Sequence, residues 1–213
     1  MYLIGDIGNT DIKICLFDQN YNVVKKLILK TNLISNKFLT LKLNFLKKYS
    51  FKINIILFSS VVPPVYSVIR KFLKKKLNQK CVEIKQINLN KLVKIMVNKK
   101  EVGSDRISNA IGIIDKKSNY IILDFGTATT FDVVIKDKYL GGVIAPGVNL
   151  SLKTLISKAS LIPPVNISKI SKIIGTNTSS AVKSGFYWGY TGLIDNVIKL
   201  IIKQTNKPFK IIL

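Results

Sequence analysis

Short apolar runs and alternating apolar–polar stretches succeed one another along most of this chain, broken by glycine, asparagine and proline. Residues 3–7 and 12–17 read as two strands around a Gly8-Asn9-Thr10 turn, and 22–29 as a third. A lysine-rich stretch, 36–49, reads as helical. The continuous apolar run 53–58 suits a strand buried on both faces. Ser59-Ser60-Val61-Val62-Pro63-Pro64 then forms a loop, with Pro64 placed to open a helix over 65–77, where its missing N–H costs nothing. Residues 82–87 read as a further strand, and Ser104 or Asp105 can cap a helix reaching about residue 114.

The second half opens in the same way. Residues 120–123 form a strand, 124–127 a turn, 130–135 a strand and 139–144 a third. Ile4-Gly5-Asp6-Ile7-Gly8-Asn9-Thr10 can be laid beside Ile122-Leu123-Asp124-Phe125-Gly126-Thr127-Ala128; each places Asp and Gly two residues apart at a strand-to-strand turn. Two such hairpins, each presenting a carboxylate and backbone N–H groups, can face one another across a cleft. Further on, Ile194, Val197, Ile198 and Ile201 mark one apolar face of a helix. Gly185, Gly189 and Gly192 share roughly one face upstream, which points to a buried helix contact. Residues 209–213 begin a strand.

A length of 213 residues suffices for one large domain or two small lobes, and a hydrophobic content of 47% argues against disorder. No apolar run approaches the roughly 18 residues of a membrane span. Asp6 and Asp11 interrupt the first apolar stretch too early for a signal peptide. Cys15 and Cys81 fit neither a disulfide framework nor a metal spacing. A cytoplasmic protein without membrane attachment is expected. Lys and Arg number 34 against 11 Asp and Glu, a formal net charge of +23, which by itself invites nucleic acid. The lysines are nevertheless spread over the whole length, and the clusters at Lys47, Lys74 and Lys99 are short and lack interleaved aromatics. A compositional bias towards Lys on solvated faces accounts for them. The absence of any His excludes a Ser-His-Asp triad, a Cys-His pair and His-ligated metals. Proton transfer must fall to Asp, Glu, Lys, Tyr or Cys.

Carboxylates are scarce, so their places are informative. In Asp6-Ile7-Gly8-Asn9-Thr10, Gly8 lets the backbone approach an anion, Asn9 and Thr10 offer donors to phosphate oxygens, and Lys13 adds charge. Gly-Asn is also simply a good turn pair. In Asp124-Phe125-Gly126-Thr127-Ala128-Thr129-Thr130 the Asp can hold a cation and the hydroxyls a phosphate, although Thr suits strands equally well. Neither segment is a P-loop or part of a protein-kinase set. Gly103-Ser104-Asp105-Arg106 sets an acid beside a guanidinium at a helix start. It is either a plain cap, or a site where Asp105 accepts a hydroxyl proton and Arg106 pairs with a substrate carboxylate. Gly141-Gly142-Val143-Ile144-Ala145-Pro146-Gly147 is a turn, a strand and a second turn.

In order, Asp-x-Gly-Asn-Thr at the start, Ser-Val-Val-Pro near 60, Gly-x-Asp-Arg near 105, Asp-x-Gly-Thr-Ala-Thr near 124 and Gly-Gly-x-Ile-x-Pro-Gly near 141 resemble the type III pantothenate kinases. Gly175-Thr176-Asn177-Thr178 with Ser184-Gly185 carries the match over essentially the whole chain. The resemblance implies an α/β fold of two ribonuclease-H-like lobes, 1–103 and 104–213, with the active site in the cleft between them. This is the actin-like ATPase fold shared with acetate kinase, sugar kinases and Hsp70. It implies ATP-dependent phosphorylation of pantothenate to 4′-phosphopantothenate, the first step of coenzyme A biosynthesis. ATP contacts are implied at Asp6, Ile7, Gly8, Asn9, Thr10, Asp11, Ile12, Lys13 and Thr127. Pantothenate contacts are implied at Met96, Gly103, Ser104, Asp105, Arg106 and Thr178, with Asp105 the catalytic proton acceptor. Asp124 would bind a monovalent cation, K⁺ or NH₄⁺; Mg²⁺ would accompany the ATP; and the enzyme would be a homodimer.

Two departures from the family pattern stand out. The family's Tyr-x-Asn-Pro is here Met96-Val97-Asn98-Lys99, so an adaptable apolar side chain replaces a phenol in the pantothenate pocket. The chain ends at Leu213, where the family continues into a Thr-Gly-Gly loop near adenosine, so the second lobe is expected to be shortened and nucleotide selectivity weakened. Two rival readings share the motifs. One is a transcriptional regulator binding nucleic acid without kinase activity. The other is a kinase of the same superfold acting on another small molecule.

Overall fold

The computed structural model describes residues 1–213, which divide into two compact units, Met1–Ile113 and Ile114–Leu213. The first is built on a five-stranded sheet of β1 (Tyr2–Ile7), β2 (Asp11–Phe17), β3 (Val23–Lys30), β4 (Ile55–Ser60) and β5 (Cys81–Glu83), ordered β3-β2-β1-β4-β5. The β1–β2 and β2–β3 pairs are antiparallel, and β4 and β5 are added in parallel. The strand period of two sorts β1 cleanly: Leu3, Gly5 and Ile7 are buried while Ile4 and Asp6 on the other face are half-buried. Gly5 is required where it stands, because a Cβ there would run into the ring of Phe58, its neighbour in register on β4.

Helices cover the Leu3 face. In α1 (Asn36–Lys42), Ser35 caps the first turn by accepting a bond from the Phe38 N–H. The expected helix 36–49 stops at Lys42 and tightens into a 3₁₀ stretch, Asn44–Lys52, and Leu39, Leu43 and Leu46 all reach the core. In α2 (Pro63–Leu77), Tyr66, Ile69, Leu73 and Leu77 form the buried face. Lys74, Lys75 and Lys76 fill its last turn, where cations complement the helix dipole, and Asn78 ends it in the left-handed region at φ 52°. The strand expected over 82–87 is only β5; Glu83 then caps a 3₁₀ turn, Ile84–Gln86. A two-residue strand, β6 (Lys94–Ile95), precedes the loop into α3 (Ser104–Ile113). Helix α3 packs on β4 and on the Ile84–Gln86 turn. It therefore belongs with the first unit, ten residues beyond the boundary drawn at residue 103.

The second unit repeats the first four strands. β7 (Asn119–Phe125), β8 (Ala128–Ile135) and β9 (Lys138–Pro146) form an antiparallel meander, and β10 (Lys210–Ile212) joins β7 in parallel. A bulge at Leu140 of β9, opposite Val133 and Val134, bends β9, and the adjoining Gly141 takes a φ of 100°. After α4 (Val148–Lys158), the long α5 (Thr178–Thr205) crosses the sheet. Its Leu193, Ile194, Val197, Ile198 and Ile201 pack on Ile121, Leu123, Phe131 and Val133, as the helical spacing predicts. The glycine stripe does the opposite of what was expected. A Cβ at Gly185, Gly189 or Gly192 would meet nothing within 4 Å, so that face is open rather than buried. No helix is long and apolar enough to cross a membrane.

Candidate active site

In the first unit the β1–β2 turn is short and held from behind. The Gly8 N–H donates to the Asp11 carbonyl (3.0 Å), closing Gly8-Asn9-Thr10 into a loop with Asn9 and Thr10 exposed. A Cβ on Gly8 would lie 3.1 Å from that carbonyl, tighter than side chains normally sit. Thr31, buried at the end of β3, donates its hydroxyl to the Gly8 carbonyl (2.8 Å) and its N–H to the Thr10 carbonyl (3.0 Å). Ile7 and Ile12 are fully buried, so they can serve a ligand only through their main chain. Asp11 is engaged by the Lys30 ammonium at 2.7 Å, and Lys13 is exposed. Asp6, one residue from the strand's end, accepts a 2.6 Å hydrogen bond from the hydroxyl of Ser59, its partner in register on β4. Thr31 and Ser59 escaped the sequence reading; only the pairing of strands brings them to the turn.

The acceptor-side motif is built around α3. The Asp105 carboxylate folds back so that its Oδ1 accepts from the Arg106 N–H (2.8 Å), and a Cβ on Gly103 would strike that carboxylate. Gly103 is therefore there for Asp105. Ser104 is buried, and its hydroxyl donates to the Ser60 carbonyl (3.2 Å). The preceding loop turns at Asn98, whose side chain accepts from the Lys100 N–H and whose carbonyl accepts from Glu101 and Val102. Lys85 pins the loop's end with its ammonium, 2.6 Å from the Val102 carbonyl and 3.3 Å from that of Lys100. Met96 stands exposed at 57% on this loop. Asp6 and the Gly103–Arg106 motif thus meet through the last two residues of β4.

The second unit carries its own hairpin. Asp124, near the end of β7, is exposed and stands opposite Thr130. The turn closes through the Gly126 N–H on the Ala128 carbonyl (2.9 Å). Gly147 donates its N–H to the exposed Thr127's carbonyl (3.0 Å), and any Cβ there would strike the carbonyls of Gly126 and Thr127. Two residues along β8 from Thr130, on the same face, Asp132 is wholly buried and accepts from the buried Tyr139 hydroxyl at 2.6 Å. The sequence reading passed over it, although a carboxylate inside an apolar strand was the available signal. Thr178 is the exposed first residue of α5. Asn177 caps that helix by accepting from the Ser180 N–H, and Gly175 is needed because its Cα faces the backbone of Ala181.

Both cysteines are free thiols, and Cys81 is buried. Burial pushes Cys81 up to about 11, beneath a Tyr66 itself pushed up to about 12 by the same desolvation. No group of three or more His, Cys, Asp or Glu side chains could hold a metal ion.

A sheet of ribonuclease-H-like order with an Asp-Gly hairpin at its first turn is present in both units, which is the architecture of the actin-like ATPase fold. A protein described as a conserved Baf family transcriptional activator from Campylobacter jejuni shares the fold at a TM-score of 0.56 and 20% identity, over 92% of this chain and 78% of that one. The sequence goes further. The model of the type III pantothenate kinase family matches residues 2–200. The type III pantothenate kinase of Pelagibacter ubique is 54% identical over all of this chain and 86% of its own length. That of Desulforapulum autotrophicum is 36% identical over all of this chain and 84% of its length. The chain belongs to the type III pantothenate kinase family.

Proposed function

We infer that the chain transfers the γ-phosphoryl group of ATP to the primary hydroxyl of pantothenate, the entry step to coenzyme A, in the cytoplasm. Phosphoryl transfer asks a protein for positioning and charge neutralisation more than for covalent help. The Asn9 and Thr10 N–H groups, the Asn9 amide and the Thr10 hydroxyl, with Lys13, receive the phosphates, and Thr127 is a further ATP contact. Asp6 stands at the fixed end of β1 for the cation that travels with ATP, normally Mg²⁺, whose chemistry is to offset phosphate charge. Asp105 orients the acceptor hydroxyl and takes its proton, a role that falls to a carboxylate in a chain with no His. Arg106 pairs with the pantothenate carboxylate, while Met96, Gly103, Ser104 and Thr178 line its path.

Asp124 suits a monovalent cation. It is an exposed carboxylate in register with Thr130 and belongs to no cluster of acidic side chains that would chelate a divalent ion. A homodimer is supported by α5, on which the glycine face is open and Trp188, Leu200 and Ile202 are 39%, 53% and 39% exposed.

The observation that carries this reading is the tether between Asp6 and the Gly103–Arg106 motif through Ser59 and Ser60. It gives a family motif set a common rigid support. A coupled assay for ADP release, with and without pantothenate and with K⁺ or Na⁺, is the test. Pantothenate-dependent release stimulated by K⁺ is expected. Salt-dependent DNA binding with no turnover would overturn it.

A further inference from the structure

Strand β4 ends in two consecutive serines, and the alternation of the strand sends them to different work. Ser59 lies on the Asp6 face of the sheet and is 7% exposed; its hydroxyl is committed to Asp6 Oδ1 at 2.6 Å. Ser60 faces the other way. Its hydroxyl accepts from the Val62 N–H at 3.1 Å, which fixes the sharp exit into α2, and its carbonyl accepts from the buried Ser104 at 3.2 Å. The strand is anchored on both sides of this step. Val61 donates to the Ile7 carbonyl at 3.0 Å, and Phe58 is wedged over Gly5. A carboxylate that accepts a short bond from a buried hydroxyl is restricted in rotamer, and the bond is charge-assisted.

We propose that Ser59 is a positioning residue for the kinase reaction, holding the Asp6 carboxylate in the orientation that receives the nucleotide, while the adjoining Ser60 carbonyl registers Ser104 and the Asp105-bearing helix against the same strand end. The proposal rests on the reading of Asp6 as a nucleotide-side group and Asp105 as the base. It assigns to the Ser-Ser step the alignment of donor and acceptor, in which an error of about 1 Å costs orders of magnitude in rate. The nucleotide side depends on a side chain and the acceptor side on a carbonyl, so substitution can separate them.

The experiment compares Ser59→Thr with Ser59→Val, near-isosteric side chains in which a methyl replaces the hydroxyl, and adds Ser104→Ala. Binding of MgATP is measured by calorimetry, turnover and pantothenate KM by the coupled assay, and folding by thermal melting. Ser59→Val should weaken MgATP binding and lower turnover about tenfold each, with pantothenate KM changed less than about twofold. Ser59→Thr should restore both. Ser104→Ala should raise pantothenate KM and spare MgATP binding. Equal MgATP affinity in the Thr and Val variants overturns the proposal, as does a Val variant that loses pantothenate and MgATP together with its melting temperature. If the unmutated chain binds MgATP but phosphorylates nothing, the functional reading fails, while the calorimetric comparison still decides the role of Ser59.

Discussion

The two units carry the same hairpin and support it by different means. In the first, the turn after β1 is braced by side chains from other strands: Thr31 on its carbonyls and Ser59 on its carboxylate. In the second, the turn after β7 is braced by backbone, with Gly147 lying directly over the carbonyls of Gly126 and Thr127. The carboxylates differ accordingly. Asp6 is half-buried and hydrogen-bonded to a neighbouring strand, whereas Asp124 is exposed at its strand's end. A fixed carboxylate suits a group that must meet a phosphate-bound cation in one geometry. An exposed one suits a cation that exchanges freely, which is the contrast behind the roles proposed for Asp6 and Asp124.

The largest expected effect lies outside both hairpins and sets the scale for them. Asp105→Asn should lower turnover by about 10²–10⁴-fold while retaining pantothenate binding, measured by steady-state kinetics and calorimetry. Undiminished turnover would remove Asp105 from proton transfer. Next comes the direct contrast of the hairpins. Asp6→Ala should weaken MgATP binding and leave pantothenate binding near its original value. Asp124→Ala should abolish the difference between rates in K⁺ and in Na⁺. If both variants behave alike, the division of labour is wrong.

The braces themselves give a smaller contrast. At Gly147 an added methyl meets backbone that cannot step aside, so Gly147→Ala should destabilise by about 1–3 kcal/mol, the usual range for overpacking. At Gly8 the nearest atom would lie 3.1 Å away, and Gly8→Ala should cost less than about 1 kcal/mol. Denaturant unfolding of the two variants would rank them. The reverse order would mean that the first turn is the more rigid.

The smallest effect concerns the start of the second unit. Backbone N–H groups of Ser118 and Lys117 and the hydroxyl of Tyr120 hold Asp115 well below the usual carboxylate range. A depressed pKa contributes stability that is complete above the ordinary value and disappears as pH falls through the lowered one. Asp115→Ala should therefore melt slightly lower than the parent at neutral pH, and the gap should close only in strong acid, below the ordinary carboxylate range. A gap that persists there would point to packing rather than charge.

Much of the site was legible because its chemistry is local. An Asp, a Gly and a run of hydroxyls mark a strand-to-strand hairpin within seven residues, and Gly-Ser-Asp-Arg marks a helix start bearing an acid. The four-residue apolar spacing from Ile194 to Ile201 likewise foretold the buried face of α5. Where local reasoning failed, a neighbour distant in sequence decided. The glycines of α5 share a face, which predicts close packing, but this chain brings nothing against them. The lysine-rich helix after residue 36 stops at Lys42 and passes into a 3₁₀ stretch, although Leu39, Leu43 and Leu46 keep the spacing of a single α-helical face.

By itself, then, the sequence determined most of the strands, the two hairpins and the acid at the head of α3, which are set by periods of two and 3.6 and by turn chemistry acting over a few residues. The order of the motifs along the chain carried the resemblance to the family. Tertiary structure alone decided what holds those groups still. Ser59 meets Asp6 across 53 residues, Thr31 meets Gly8 across 23 and Lys85 meets Val102 across 17. A serine, a threonine or a lysine carries no local mark of such a partner. Its role comes into being only when strand pairing removes both groups from water and leaves each other as the hydrogen-bonding choice.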